Sequence, residues 1–429
     1  MTDIYTNEND IDIYGDDIHP NRFGLMMNGL KAKRTHVKTS HTPSTRKPGE
    51  EVIIGFENLT KNDVIVPGSF FISGKLEVTS TKDKARYIVN NIGRKLIKTL
   101  KIKFRGNIIL CMENYDVLKG YFDLFLSKYE KAKRVYQGIQ SVDGLKLHVD
   151  SNGATGTSNE VAIKSTLGNR FMIPIDFELL NDIGPFYQAG LEDQLSIELT
   201  FNDPSAVILG STSILAAASD SDYSYQFTNI EIEYDTIKDQ KLANIMASQY
   251  QLLTIPYKRY HHYHTMEISK TLSKINIEIK SPSKSLTHVL ILAIDPNDRK
   301  KYAHNENFKN LEIEKVSVRA AGSDNQLYSS GMGKEDTWYE INKYFQDEHE
   351  ISMGEFLTSK YALCFDFRPT TDRNIHGSGI GLDTSKRTIK IDIERTPATS
   401  GTEKLNLMIF LIEDAKLNFS GWKYHSVEH

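Results

Sequence analysis

The sequence predicts a mainly β protein: two eight-stranded β-sandwiches in tandem, with a few inserted helices. Three observations predict it. Apolar and polar residues alternate with period two through most of the chain after residue 50, as half-buried strands require. Helical spacing appears in only three stretches. The order of elements occurs twice, and 429 residues exceed one ordinary core, since domains stop growing near ~250–300 residues.

Residues 1–50 read as an N-terminal arm without sustained periodicity. The first seventeen carry six acids and no base. "LKAKRTHVKTSHTPSTRKPGEE" then carries Lys31, Lys33, Arg34, Lys38, Arg46 and Lys47 before its first acid. Such a basic run can meet a phosphate backbone, although charged terminal segments are more commonly solvated or pinned against a neighbouring chain.

Alternation begins with "EVIIGFE" (51–57), "SFFISGKLEVT" (69–79) and "KTLKIKF" (98–104). A helical stretch at 113–134 follows, then a polar stretch at about 135–167 that reads as a surface loop. "FMIPIDFEL" (171–179), "DQLSIELTF" (193–201) and "FTNIEIEYD" (227–235) complete a first unit over 51–236. The helical pattern "DQKLANIMASQY" (239–250) is the natural connector, assigned to 237–251. Strands resume in "SKINIEIKS" (273–281), "THVLILAID" (287–295) and "LEIEKVSVRA" (311–320). The third helical pattern is "DTWYEINKYF" (336–345). "KYALCFDF" (360–367), "RTIKIDIER" (387–395) and "KLNLMIFLIED" (404–414) close a second unit over 252–422, leaving 423–429 as a tail. Turn residues such as "RGN", "GSDN" and "HGSG" punctuate the series.

The two units share phrasing as well as order. "FMIPIDF" (171–177) and "YALCFDF" (361–367) each end in apolar-Asp-Phe. Tyr115, Leu118, Tyr121 and Phe122 form one helix face, and Trp338, Ile341, Tyr344 and Phe345 repeat it. Eight strands with uneven loops suit two packed sheets in jelly-roll connection, with other sandwich topologies next. Even hairpins or four-strand blades, expected of an up-and-down barrel or a propeller, are missing.

Composition narrows function. The net charge of −4 gives no global field for wrapping nucleic acid. Two distant cysteines, Cys111 and Cys364, build neither a disulfide framework nor a thiolate zinc site. The acidic N-terminus does not read as a signal or transit peptide, and no apolar run approaches the ~18 residues of a membrane span. "HGSGIG" (376–381) precedes a strand rather than the helix a phosphate loop needs, and no nucleophile elbow, P-loop or H-E-x-x-H occurs.

"YKRYHHYHTMEISK" (257–270) is the one metal-like pattern. His262 and His264 would face one side of a strand, as two ligands must, and His288 lies nearby. Glu267 would face the other side unless a bulge intervenes. No glycine occurs between Gly210 and Gly322 to turn the chain as metal-binding cupins do. A strand without chemistry is therefore preferred over a duplicated-cupin metalloenzyme, and no cofactor is expected. Asp176 and Asp366, at matching places in the repeat, read as structural carboxylates that cap a loop or a helix.

At the repeated strands the chain resembles a known family. "VNNIGRKLIKTLKIKFRGNIIL", "ENYDVLKGYFDLFLSKYEK" and "LGNRFMIPIDFELLNDIGPFYQAGLEDQLSIELTF" look like the first barrel of double jelly-roll major capsid proteins. The group is that of the Polinton/Maverick elements, adintoviruses and virophage-related double-stranded DNA viruses. "NFKNLEIEKVSVRAAGSDNQLYSSG" and "YALCFDFRP" are similar to its second barrel, and the match covers roughly 50–415.

The resemblance implies a non-enzymatic virion protein. It would form a homotrimer that makes a pseudo-hexagonal capsomer of an icosahedral shell. Its partners would be neighbouring capsomers, a single jelly-roll penton protein and other minor capsid proteins. The six bases of the arm could touch packaged DNA without sequence specificity, and no small-molecule substrate is implied. Loops 135–167 and 370–386 would form the outer surface or trimer contacts. Deleting residues 1–45 is then expected to leave trimers intact and impair shell assembly. A jelly-roll binding module such as a lectin, and a minor capsid or vertex protein, compete with this reading.

Overall fold

The computed structural model describes residues 33–56, 59–80, 86–138, 148–150, 159–164, 170–175, 177, 180, 186–209, 223–301, 304–320, 323–324, 328, 331–345, 349–368, 381–399 and 403–429. The first unit holds β1 (Lys33–Ser40), β2 (Glu51–Ile54), β3 (Asp63–Ile65), β4 (Phe71–Ser80), β5 (Arg86–Ile88), β6 (Ile97–Phe104) and β7 (Asn107–Glu113). It continues with β8 (His148–Asp150), β9 (Asn159–Lys164), β10 (Arg170–Pro174), β11 (Leu195–Phe201), β12 (Ile208–Leu209) and β13 (Tyr223–Lys238). The second holds β14 (Leu252–Ser269), β15 (Lys274–Ile279), β16 (Leu286–Ile294), β17 (Ile313–Ala320) and β18 (Ser323–Asp324). It ends with β19 (Ala362–Asp366), β20 (Ile389–Arg395), β21 (Lys404–Ser420) and β22 (Lys423–Glu428). Helix α1 (Tyr115–Leu124) lies in the first unit, α2 (Gln240–Gln249) between the two, and α3 (Lys334–Phe345) in the second.

Strand order is the same in both units. In the first, β1-β13-β4-β10 packs over β2-β11-β6-β7; in the second, β14-β21-β16-β19 packs over β15-β20-β17-β18. Every pairing is antiparallel. This eight-strand order, run twice, is a double jelly roll. Helices α1 and α3 fall at the same topological place, between the fifth and sixth of the eight strands in chain order (β7 to β10, β18 to β19).

The alternation read from sequence is the burial pattern of the strands. In β11, Leu195, Ile197, Leu199 and Phe201 point inward and the residues between them do not. β16 and β19 are buried on both faces, and their sequences are correspondingly apolar throughout. Their sheet lies between the barrel core and the helices.

Three boundaries differ from the sequence expectation. First, residues 33–40 are not an arm: β1 pairs with β13 over its whole length, from Lys33 opposite Lys238 to Ser40 opposite Glu231. As an edge strand with a charged outer face, "KRTHVKTS" shows little apolar alternation. Second, the stretch at 135–167 contains β8 and β9, which extend the first sheet beyond β4 together with β5 and β12. Third, residues 423–428 are strand β22 on β21 rather than a tail. Tyr424 stacks on Phe104 of the first barrel at 6.1 Å between centroids. The part of loop 370–386 before residue 381, with its "HGSG", lies outside the described residues.

The barrels share structure as well as plan. β14 and β21 are 18 and 17 residues long, far more than one sandwich needs. Leu253, Ile255, Tyr257, Ala415, Leu417 and Phe419 from this strand pair join the first core. Ile268, Leu405, Leu407, Ile409 and Leu411 belong to the second. One long antiparallel strand pair thus serves as a strut through both.

Candidate functional site: the histidine strand and the seam between the barrels

A bulge decides the histidine pattern. His262 pairs with Phe410 and His264 with Ile409, so Tyr263 is the extra residue and the two histidines face opposite ways. The expectation that both point to one side is corrected by that single inserted residue. His262 now shares its face with Thr265 and Glu267. His262 Nε2 lies 2.9 Å from Thr265 Oγ1, and its ring packs on Phe410 at 5.3 Å. Glu267 pairs with Lys404 and His264 is exposed. Among the described residues, no three His, Cys, Asp or Glu side chains converge on a common point.

His288 is 1% exposed on β16. Its Nε2 is 3.6 Å from Asp366 Oδ1, and its ring meets Tyr344 of α3 edge-on at 4.9 Å. Burial, opposed by Asp366, lowers its pKa to about 3.

Asp366 is a structural anchor, as its place in the repeat suggests. Burial pushes its pKa up, but hydrogen bonds from Arg368 and the neighbouring His288 outweigh this and hold it at about 2. Oδ1 accepts from Arg368 N and Nε, both at 3.0 Å, and Oδ2 from Nη2 at 2.9 Å. Lys343 of α3 lies 3.1 Å from Oδ2, so one carboxylate ties the helix to the sheet. The matching Asp176 lies outside the described residues.

The seam between the barrels is built around α1. Asn114 enters it in the left-handed region, with φ 53°, which turns the chain sharply out of β7. Tyr115 then faces the first core, whereas Val117, Leu118, Tyr121, Leu124 and Phe125 enter the second. Opposite them stands α3. Phe125 and Phe345 stack at 3.9 Å and 5° between planes, and Phe122 touches both Tyr344 and Phe345. The repeated aromatic faces of the two helices thus meet each other. Edge strands meet too: Tyr257 of β14 donates to Ile109 O of β7 at 2.7 Å, and His262 lies 3.8 Å from Glu113.

A buried charge set beneath α1 was not foreseen. Arg94 donates to Asp123 at 2.8 Å and to Tyr115 Oη at 2.7 Å, and Asn91 also donates to Asp123. Arg299 of the second unit reaches Asp116 at 2.8 Å, linking the barrels. Burial, and next the nearby Arg299, lower the Lys95 pKa to about 8. The available signal was "IGRKLI", two bases inside an apolar run, which a strand-by-strand reading passes over.

The six bases of the supposed arm do not form one free patch. Lys31 lies outside the described residues, and Lys33 begins β1. Arg34 pairs with Asp235, and Lys38 with Glu231 at 2.9 Å and Glu233 at 3.4 Å. Arg170 joins Glu231 and Glu233 from the other side. Burial raises these acids, but the hydrogen bonds from Lys38, Arg170, Ser73, His36 and Arg34 win and leave all three below their usual range. Arg46 donates to Glu51 O at 3.0 Å, and Lys47 is exposed.

The fold and this seam define a double jelly-roll protein with no assembled catalytic constellation among the described residues. Comparison with solved structures places it beside viral capsid proteins. PBCV-1 VP54, as fitted into a reconstruction of the virophage Sputnik, matches at TM-score 0.58 and 12% identity, over 93% of this chain and 98% of that one. The Faustovirus major capsid protein matches at 0.58 and 10%, over 91% of each chain. The mavirus major capsid protein matches at 0.56 and 10%, over 91% of this chain and 89% of that one. At such identities the likeness is one of fold. No protein-family model matches the sequence, and no curated protein does.

Proposed function

We propose that this chain is a major capsid protein whose trimers tile the shell of a double-stranded DNA virus or related element. The observation that carries the proposal is a seam used once but present in outline twice. The first barrel gives its β7 edge and α1 to the second, which receives them with β14 and the α3 face. The corresponding parts, β18 of the second barrel and β1 of the first, end their sheets among the described residues. Tyr339 on α3 is 65% exposed. A contact that repeats the internal one between chains is head-to-tail, and it closes when three chains bring six barrels into a ring.

Such a tile has flat sides for neighbouring capsomers and needs no active site. The fold likeness to capsid proteins of similar length supports the same reading. Residues upstream of Lys33 are then the part of the chain assigned to neighbouring tiles, minor capsid proteins or packaged DNA. Mass measurement tests the step that matters first. Size exclusion with light scattering is expected to give three chains of 48.8 kDa, about 146 kDa. A stable monomer across micromolar concentrations would contradict it.

A further inference from the structure

We propose that His262 and His288 act as an acid-operated release for the helical layer that joins the two barrels. Both lie on one face of the sheet β14-β21-β16-β19. His262 and Leu290 both pair with Phe410, and His288 pairs with Ile412, the partner of Tyr260. This is the face covered by α1 and α3, so lifting that layer exposes His288 to water.

His288 is unusual in what it lacks. Neither ring nitrogen has a hydrogen-bond partner among the described residues, although the ring is buried. Its surroundings are charged on several sides. Asp366 faces it from β19, Arg368 from just beyond, Lys343 from α3 and Lys258 from β14. Glu340 of α3 pairs with Lys343 at 3.6 Å, and β21 contributes Ile412. Burial above all makes an imidazolium unwelcome here; Asp366 opposes this, and the three cations add to it. Tyr344, whose ring closes the site, is next to Phe345, which stacks on Phe125 of the first barrel. His262 spans the same seam at its strand edge, facing Glu113 of β7, with Thr265 and Phe410 beside it and His261 and His264 in its own strand.

The sign follows from burial. Burial makes both histidines harder to protonate in the closed state than once exposed, where an imidazole titrates near pH 6.5; at His262 the facing Glu113 opposes this in part. Stability from this source is complete above about pH 6.5 and falls as the pH drops toward about 3 for His288. Acid therefore favours the opened layer, by up to about tenfold per pH unit for each histidine. The device belongs to the fold itself and stands whether or not the shell reading does. In a shell it would keep capsomers rigid at neutral pH and loosen them in an acidic compartment.

Hydrogen exchange of the full-length protein tests this, at about pH 7 and about pH 5, with rates corrected for the intrinsic effect of pH. The opening population of segments 115–125 and 334–345 is expected to rise about 20-fold or more, ahead of the inner strands β11 and β20. His288→Gln should remove most of that rise, and His262→Gln a smaller part. If His288→Gln does not fold, His262→Gln and the contrast between helices and inner strands still decide. A corrected rate that ignores pH, a rise equal in all strands, or a rise untouched by either variant that folds would overturn the proposal.

Discussion

Tyr121→Ala is expected to destabilise the protein by about 4 kcal/mol, within the range of about 3–5 kcal/mol for emptying an aromatic site. The ring is fully buried, although it belongs to a helix of the first barrel and sits in the core of the second. It packs edge-on against Phe308 at 4.8 Å and Phe125 at 5.3 Å, with Phe345 at 6.1 Å. Its hydroxyl donates to Lys360 O at 3.0 Å, so truncation also leaves a part-buried carbonyl without this donor. Tyr121→Phe removes only that bond and should cost about 1 kcal/mol. Equilibrium urea unfolding measures both. A Tyr121→Ala midpoint within about 1 kcal/mol of the parent would show that α1 does not hold the barrels together.

Truncation at the N-terminus should give two distinct results. Removing residues 1–32 leaves every described strand in place, so fold and oligomer are expected to persist, and a defect should appear only in shell assembly. Removing residues 1–45 deletes β1. The edge of β13 is then open, and Asp235 and Glu231 lose Arg34 and Lys38. Lost cross-strand rungs at roughly 0.2–1 kcal/mol each, with the bared edge, should cost about 3 kcal/mol and promote aggregation. Thermal unfolding and light scattering of the two truncations decide. Equal stability for both would mean that the β1 pairing contributes nothing. The structure thus moves the tolerated cut from residue 45 to residue 32.

Much of this architecture was legible because burial writes a period into the chain. The faces Tyr115/Leu118/Tyr121/Phe122 and Trp338/Ile341/Tyr344/Phe345 announced helices at matching places in two copies. They could not announce that they pack on each other, since nothing local encodes which barrel a helix leans on. β1 stayed hidden for a related reason. Its stabilising partners are charges some 200 residues away, Arg34 with Asp235 across 201 positions, and an edge strand needs few apolar residues. The histidine strand was misread through one residue. Period-two reasoning put His262 and His264 together, and the bulge at Tyr263 turned them apart. Asp366 went the other way: its repeat position alone pointed to a structural carboxylate, and it ties Lys343 and Arg368 to the sheet.

The claim beneath all of this is that one contact, made inside the chain between its two sandwiches, is made again between chains until a ring closes. Electron microscopy of the purified full-length protein looks at that ring directly. Class averages with six lobes and three-fold symmetry, free or packed into sheets or shells, are the predicted result. Two-lobed particles that stay single at every concentration, or closed rings with any other number of lobes, would contradict it.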